Sequence, residues 1–535
     1  MTNIDDVVTG FGPWHYGIVA FVFLRGFPCA FFSMSPTFMV PSTVDHWCAR
    51  PNSLGNWTAE QWRTYGIPKE TEAEGALAPE HCMMHVVEEV DGSQVISNAS
   101  TVECSSWEYD LEDGAHYLTN HFNLVCSRAW LRAASQSFYM AGGLLGCLVF
   151  SHISDWYGRK KALAFMIPVS WLSACIMPFS TSFLMYNIGR MAASFAMGGI
   201  WNASYTLITE CVEAKHRAIA SFVASVGWTT GLLILVGFAW YLRNWVHLQI
   251  AISLSMLVTG ALWLTIPESP RWLLSVGRYE RARAILENAI RLNEVQGTTV
   301  DSIIDKYKRN EEQENVRQKL TIAHLFKPIQ LCRITVTICM ISTGCAMLYY
   351  NATYSSIKLG DNPYLSFAIV AAMEYPSLLA VIPIIKYVRR RTAYVLAFGI
   401  SAICSAGIIL VPKELWVLQL CLATASKVGI DSGWAVNGVQ VSELYPTRMR
   451  TLAVGFAATV SRIGAILSPF TNELGALLYS WVPRALDCAI CIIIILLCLS
   501  LPETFNVELP DTLADIKLRI RGTNNPPPET ENLRK

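Results

Sequence analysis

The sequence predicts an all-helical membrane protein with twelve spanning helices in two six-helix bundles and one large extracellular loop. Hydrophobic residues make up 53% of the 535 residues and charged residues 15%, whereas a soluble domain carries about 25% charge. The apolar residues fall into runs of about 20, the length that a helix needs to cross a bilayer. Short motifs also recur in the two halves of the chain at nearly one offset.

Twelve apolar runs are the candidate spans. The first is interrupted by Arg25, Pro28 and Pro36, and the tenth contains Lys427 and Asp431. The first six runs form an N-terminal bundle at 15–266, and the last six form a C-terminal bundle at 334–501. The runs cover residues 15–40, 134–152, 161–181, 183–209, 218–240, 247–266, 334–357, 364–386, 392–411, 414–442, 451–475 and 481–501.

Basic residues in the short connections predict the orientation. The even-numbered connections are rich in Lys and Arg, as at 159–161 and 389–391, and the odd-numbered ones are not. We therefore expect the N-terminus (1–14), the central linker (267–333) and the tail (502–535) to lie in the cytoplasm. The prediction is a multi-pass protein of the plasma membrane with both termini inside.

The loop at 41–127 has the composition of an extracellular segment. It carries three Lys and Arg against fourteen Asp and Glu, and it contains glycosylation sequons at Asn56 and Asn98. An even set of four cysteines predicts two disulfides in an oxidising compartment, with three pairings possible. Those cysteines are Cys48, Cys82, Cys104 and Cys126. The nearby histidines are interpreted as ordinary loop residues, and no metal site is predicted.

An internal repeat relates the two halves. Glu210 and Arg217 are spaced like Glu443 and Arg450, 233 residues later, and Pro267-Glu268-Ser269 is matched by Pro502-Glu503-Thr504 at an offset of 235. Parallel six-helix repeats with a substrate site at the midplane between them are typical of secondary transporters.

Charged residues at the cytoplasmic helix ends are the candidate gate. We expect Asp155 to accept hydrogen bonds from basic residues across its turn and from the facing half, in a latch that forms in one access state only. The alternative is that these charges only fix the topology. The gating candidates are Asp155, Arg159, Glu210, Arg217, Glu268, Arg271, Glu443, Arg450 and Glu503.

Ionisable residues inside the spans are the candidate substrate ligands, because each costs about 2.5–3.5 kcal/mol at the helix centre unless it is paired or hydrated. Arg462 lies near mid-depth and is the candidate anchor, the alternative being a fixed ion pair with Glu374 or Asp431. Lys427 stands four residues before Asp431 and is placed to pair with it. Two further arginines, Arg25 and Arg190, are interpreted as structural.

Aromatic residues near mid-span supply apolar walls and cation–π faces. The full candidate set is Trp201, Tyr205, Trp228, Tyr349, Tyr350, Glu374, Lys427, Asp431, Trp434 and Arg462.

The sequence contains no phosphate-binding loop, no HExxH and no nucleophile elbow. Neither an ATP-driven pump nor an enzyme is therefore expected, and no cofactor is predicted. The charge balance of 41 Lys and Arg against 41 Asp and Glu also argues against a nucleic-acid partner. The expected partners are the lipid bilayer and a small organic ion.

Several motifs are shared with a known family. They are Asp45-His46-Trp47-Cys48 and Phe122-Asn123-Leu124-Val125-Cys126 at the ends of the large loop, Asp155-x2-Gly158-Arg159-Lys160, PESPRWL at 267–273, ELYPT at 443–447 and LPET at 501–504. Over about residues 1–515 the chain resembles the major facilitator superfamily, and within it the organic cation, anion and carnitine transporters of solute carrier family 22. The resemblance implies the major facilitator fold and a central cavity lined by Trp201, Tyr349 and Glu374. Arg462 stands where the family's cation transporters carry aspartate and its anion and carnitine transporters carry arginine.

The expected function is secondary transport of small organic ions by alternating access, facilitative or ion-coupled. Zwitterions or cations of the carnitine and organic-cation type rank first, and organic anions are the alternative. A non-transporting receptor that binds ligand through the 41–127 loop is the alternative of another class. The coupling ion or counter-substrate stays open.

Overall fold

The computed structural model describes residues 12–505 except 42–43, 52–53, 55–56, 72–76, 80, 91–92, 112–113, 214–215, 295–299, 315–321, 328, 361 and 480. The predicted sequon at Asn56 lies outside the described residues, as do the first eleven residues and most of the predicted tail.

Twelve long helical segments run through the described part of the chain, as predicted, and every end lies within five residues of its expected position. Ten of them, all except spans 4 and 10, contain a stretch that is long and apolar enough to cross a membrane by length and composition. Spans 1–12 are Pro13–Met39, Trp130–Tyr157, Arg159–Ile176, Phe183–Cys211, Arg217–Tyr241, Trp245–Trp263, Ile329–Ser355, Pro363–Tyr387, Arg390–Leu410, Trp416–Leu444, Thr447–Leu477 and Val482–Ser500.

Two spans are interrupted near the middle. Span 1 consists of helices Pro13–Leu24, Gly26–Met34 and Pro36–Met39, with breaks at Arg25 and Ser35. Span 8 breaks at Met373 and restarts as Glu374–Tyr387. Proline lacks the backbone N–H that a continuous helix requires, and Pro376 lies directly after this restart. The break places Glu374 in the first turn of the new helix, at mid-depth.

Glycines allow the spans within each half to approach closely. A Cβ on Gly146 of span 2 would lie 1.8 Å from the Phe195 carbonyl oxygen of span 4, and one on Gly464 of span 11 would lie 2.0 Å from the Thr343 carbonyl oxygen of span 7. Membrane helices often pack through small residues for this reason.

The linker packs beneath the N-terminal half. Its helices are Pro270–Ser275, Tyr279–Asn293 and Val300–Glu314. Leu286 is buried in the same apolar core as spans 1–6, whereas spans 7 and 9–12 build most of a second core. The Asn293 side chain accepts a hydrogen bond from the Trp14 backbone N–H at 3.2 Å, which ties the linker to the start of span 1.

The loop between spans 1 and 2 is a small folded unit. Its short helices are Ala59–Tyr65 and Leu118–His121, and its strands are β1 His46–Cys48, β2 Lys69–Thr71, β3 Leu77–Pro79, β4 Met83–Val90, β5 Ser93–Glu103 and β6 Trp107–Tyr109. The antiparallel pairs are β1–β6, β2–β3 and β4–β5.

Disulfides Cys48–Cys104 and Cys82–Cys126 select one of the three possible pairings. His46 lies beside Cys82 and Cys126, but these two sulfurs are bonded to each other and offer no thiolate to a metal. The predicted sequon at Asn98 falls within β5.

Candidate substrate site

The centre of the protein holds a buried lysine between two carboxylates. The Lys427 ammonium lies 2.9 Å from an Asp431 oxygen and 3.1 Å from a Glu374 oxygen, and its side chain is only 1% exposed. It also lies 3.4 Å from the ring centroid of Tyr349. The predicted pairing of Lys427 with Asp431 forms, and Glu374 joins it from another span. We call these four residues the Lys427 cluster.

Hydrogen bonds connect the Lys427 cluster to the N-terminal half. Glu374 accepts hydrogen bonds from the Thr229 hydroxyl and from the Tyr349 hydroxyl, each at 2.8 Å. The Trp228 indole N–H donates to the Tyr349 oxygen at 2.7 Å. Trp228 and Thr229 are neighbours in the middle of span 5, so the cluster is held from both halves. Thr229 was not among the residues predicted for the site, because a threonine within an apolar run carries no charge or aromatic ring that would single it out.

Arg462 stands apart from these carboxylates. The alternative of a fixed ion pair with Glu374 or Asp431 is not what the structure shows, because both acids pair with Lys427. Instead, Arg462 lies within electrostatic range of Cys147, Tyr350, Tyr139 and Cys29. Among the described residues it makes no ion pair. The central region therefore holds two acids that pair with Lys427 and, apart from them, the cation of Arg462.

A second arginine covers one of the predicted aromatic faces. Arg25 is fully buried, its guanidinium lies 4.0 Å from the ring centroid of Trp201, and none of its three side-chain nitrogens has a hydrogen-bond partner within the described structure. Trp201 meets Trp228 edge to face, with ring centroids 5.9 Å apart. The face of Trp201 that we predicted for substrate is thus shared with a residue of the protein itself.

The remaining predicted aromatic residues lie at different positions relative to the Lys427 cluster. Trp434 lies 5.9 Å from Tyr349, centroid to centroid, and is 37% exposed. Tyr350 is buried and stacks on Tyr354 at 5.9 Å. Tyr205 is separate from the Lys427 cluster, since its hydroxyl bonds the Ser221 hydroxyl of span 5 at 2.8 Å. Trp434 is therefore the better placed of the exposed aromatics to meet a ligand at the cluster.

Five of the six candidate gating residues of the N-terminal half, all except Arg217, form a polar network. Arg159 pairs with Glu210 at 2.8 Å and with Asp155 at 3.1 Å. Glu268 accepts a hydrogen bond from the Lys160 backbone N–H at 3.0 Å. Arg271 donates to the Glu210 backbone oxygen at 2.9 Å. These interactions link span 2, span 3, span 4 and the start of the linker.

The C-terminal half repeats this network. Arg390 pairs with Glu443 at 2.8 Å, and Glu503 accepts hydrogen bonds from the backbone N–H groups of Arg390 and Arg391 at 3.0 and 3.1 Å. Arg390 was missing from our gating set, although it follows Arg159 by 231 residues, close to the repeat offset. Burial favours a higher pKa for Glu503, but the hydrogen bonds from four backbone N–H groups outweigh it and lower the pKa below 4.5.

Asp155 pairs across its turn with Arg159, as expected, and the expected contacts with the facing half are not among its interactions with the described residues in this conformation. The interactions given above for Asp155, Arg159, Glu268 and Glu503 all stay within one bundle and its flanking segment. Arg217 is exposed, and two side-chain nitrogens of Arg450 are buried with no hydrogen-bond partner in the described residues. The two networks therefore stiffen each half in this conformation.

The halves meet at mid-depth and at the end that carries the 41–127 loop. Arg132 of span 2 pairs with Glu473 of span 11 at 3.3 Å, and the Ser137 hydroxyl donates to the Ile466 carbonyl oxygen at 2.6 Å. Phe38 of span 1 stacks on Tyr364 of span 8, with centroids 5.5 Å apart. These contacts close the loop end in this conformation. None of these residues was among the candidates predicted from the sequence.

Comparisons with known proteins agree with this architecture. A family model described as "Sugar (and other) transporter" matches residues 91–512. The xylose transporter XylE from E. coli, in a partially occluded inward-open conformation, superposes with a TM-score of 0.59 at 15% identity, covering 93% of this chain and 100% of that one. At this identity the superposition shows the fold alone.

Full-length relatives carry more information. Mouse organic cation/carnitine transporter 2 is 30% identical across 98% of this chain and 95% of its own length. The Drosophila melanogaster organic cation transporter protein is 28% identical across 96% and 94%. Fold and site together define a multi-pass secondary transporter of the major facilitator superfamily. The matches narrow the assignment further: the chain belongs to the sugar (and other) transporter family and, within it, to solute carrier family 22.

Proposed function

We propose that this protein moves carnitine-like zwitterions, and organic cations second, across the plasma membrane by alternating access. Its role is that of a transporter and not of an enzyme, and its termini, linker and tail lie in the cytoplasm. The names of the relatives above support organic cations or carnitine as the substrate class and do not favour the anion alternative.

The separation of charge in the centre is the observation that carries this proposal. Arg462 has no acidic partner among the described residues, whereas Glu374 and Asp431 lie together around Lys427. A carboxylate next to Arg462 would neutralise an otherwise unpaired intramembrane cation, which relieves a cost of about 2.5–3.5 kcal/mol. An ammonium group on the same molecule would then face the carboxylates and the aromatic ring of Trp434.

The gating role of the two charge networks is part of the same proposal. Asp155 and Arg159 in the first half, and Glu443 and Glu503 in the second, hold together the helix ends of their own half. Because each network closes within its own bundle, the bundles can move as rigid bodies. Rocking of two repeats around a fixed midplane site is the usual form of alternating access.

Uptake measurements test the proposal directly. Cells with the protein at their surface are given a labelled carnitine-like zwitterion, a quaternary cation or an aromatic carboxylate, at two clamped membrane potentials. We expect zwitterion uptake that is independent of voltage when it is uncoupled, and cation accumulation that changes about tenfold per 60 mV. Uptake of the aromatic carboxylate alone would contradict the proposal.

A matched pair of variants tests the anchor. Arg462→Gln should raise the KM for the zwitterion by about 10- to 100-fold, because a hydrogen bond to a charged group contributes about 1.5–3 kcal/mol. Uptake of the quaternary cation should be unchanged, and Arg462→Lys should retain part of the zwitterion affinity. Equal losses for both substrates would instead indicate a structural role for Arg462.

A further inference from the structure

The Lys427 ammonium lies in surroundings that would suit a bound organic cation. Carboxylate oxygens of Asp431 and Glu374 lie at 2.9 and 3.1 Å, and the Tyr349 ring faces it with the centroid at 3.4 Å. Proteins that recognise alkylammonium ligands use this combination of an aromatic face and negative charge, with the cation within about 6 Å of the ring centroid. The ammonium of Lys427 thus occupies a site that has the features of a binding site for an organic cation.

The carboxyl groups around Lys427 outnumber its single ammonium. Two carboxylates share one ammonium, and the second oxygen of Asp431 is buried without a hydrogen-bond partner in the described part of the chain. One carboxylate group therefore keeps unused capacity for a donor or a cation. Trp434, which is 37% exposed, lies next to Tyr349 at the edge of the cluster.

We propose that Lys427 is a tethered cation that occupies the subsite for the ammonium group of the substrate, and that the incoming ammonium displaces it. This inference rests on the proposed function for the identity of the substrate. A lysine side chain suits the role, because its charge sits on a flexible four-carbon stem and can move without a change of the backbone. The displaced ammonium needs to shift only far enough to keep one carboxylate, while the substrate takes the other together with the aromatic face.

Displacement explains why a zwitterion would be preferred to a simple cation. A quaternary cation that enters the subsite replaces one cation by another, so the electrostatic gain is small. A zwitterion makes the same exchange and also brings a carboxylate to the unpaired Arg462. Lys427 therefore sets the charge class of the substrate by competing with every cation that lacks a second contact.

Chemical complementation tests the subsite without any transport. Lys427→Ala removes the tethered ammonium, and Lys427→Arg keeps a cation in its place. We expect methylammonium chloride to raise the melting temperature of purified Lys427→Ala in a concentration-dependent way, beyond the effect of equal NaCl. The wild type and Lys427→Arg should show no difference between the two salts. A folded Lys427→Ala that responds equally to both salts would overturn the proposal.

A second variant keeps the test decisive if Lys427→Ala does not fold. Lys427→Met preserves the stem and removes the charge. In this variant a quaternary cation should inhibit zwitterion uptake at an at least about tenfold lower concentration than in the wild type, whereas Lys427→Arg, which keeps a cation in the subsite, should show no such gain in potency. Wild-type potency in Lys427→Met would refute the tethered cation. If the wild type itself transports none of the three probes, the proposed function fails, and the comparison of salts still decides the subsite.

Discussion

The ion pair between Arg132 and Glu473 should control how often the loop end opens. It joins span 2 to span 11 at 3.3 Å, and the two side chains are 13% and 17% exposed. Loss of either charge removes an interaction that exists only when this end is closed. Arg132→Gln and Glu473→Gln should therefore shift the conformational equilibrium towards opening at the loop end.

The size of the shift follows from the geometry. Coulomb's law at an effective dielectric constant of about 20 gives roughly 5 kcal/mol for charges 3.3 Å apart. Desolvation and the ordering of both side chains offset most of it. Exposed pairs contribute about 0–1 kcal/mol, and breaking a buried pair costs about 3–5 kcal/mol. For this partly buried pair we expect about 1.4 kcal/mol, which is a tenfold change in the population of the open form.

A cysteine at Ser137 reports the opening. Ser137 lies five residues below Arg132 in span 2, is 8% exposed, and contacts the Ile466 carbonyl oxygen across the seam. A membrane-impermeant maleimide applied to the loop side of intact cells should label Ser137→Cys about tenfold faster when the ion pair is absent. The chain without this cysteine measures the background from native thiols.

The control removes an ion pair that does not join the halves. Arg50 pairs with Glu108 at 2.9 Å within the loop unit, so Arg50→Gln should leave the labelling of Ser137→Cys unchanged. The exchanged pair Arg132→Glu with Glu473→Arg should slow the labelling again. Unchanged labelling in Arg132→Gln and Glu473→Gln would refute the assignment of this pair to the closure.

Three further outcomes follow from the structure. Replacing Cys82 and Cys126 by serine opens a loop of sequence separation 44, which should cost about 4 kcal/mol on chain-entropy grounds and lower the melting temperature and surface expression. Glu503→Gln should lower the melting temperature at neutral pH. Because folding lowers the pKa of Glu503 below 4.5, its contribution is present above that pH and is lost as the pH falls through the folded-state pKa, so the difference from the wild type should shrink in acid. Trp228→Phe keeps the ring but loses the hydrogen bond to Tyr349, and a loss of about 0.5–1.5 kcal/mol should raise the substrate KM roughly three- to tenfold; an unchanged KM would show that this bond does not shape the site.

The spans and their order could be read from the sequence because the bilayer imposes a single length on every apolar run. The break in span 8 was also predictable, since Pro376 cannot supply a backbone N–H. The pairing of Lys427 with Asp431 follows from their spacing along one helix. Each of these features depends on local chemistry.

The contacts between residues of different spans could not be predicted from the sequence as readily. Glu374 and Lys427 lie 53 residues apart, and nothing in either segment indicates that one would face the other. We expected substrate on the faces of Trp201 and Tyr349, but Arg25 and Lys427 already lie over them. Sequence identifies which residues need a partner inside a membrane, and packing decides which partner each receives.

The partners in the disulfides and in the charge networks were likewise not predictable from the sequence. Four cysteines permit three pairings, and only the folded loop brings Cys48 to Cys104. The repeat located Glu443 and Glu503 correctly at equivalent helix ends. It could not tell that their partner would be Arg390 of the same half and not a residue of the facing half.

The buried position of Arg25 has a consequence for biosynthesis. Span 1 leaves the ribosome long before Trp201 of span 4, so its arginine enters the bilayer before the ring that covers it has been made. A central arginine costs about 2.5–3.5 kcal/mol on insertion, which makes the first helix a poorly retained segment until the fourth arrives. We expect nascent chains that stop before span 4 to lose the first helix from the membrane, and Arg25→Leu to retain it. The order of synthesis thus makes early integration of this protein depend on a residue in a later helix.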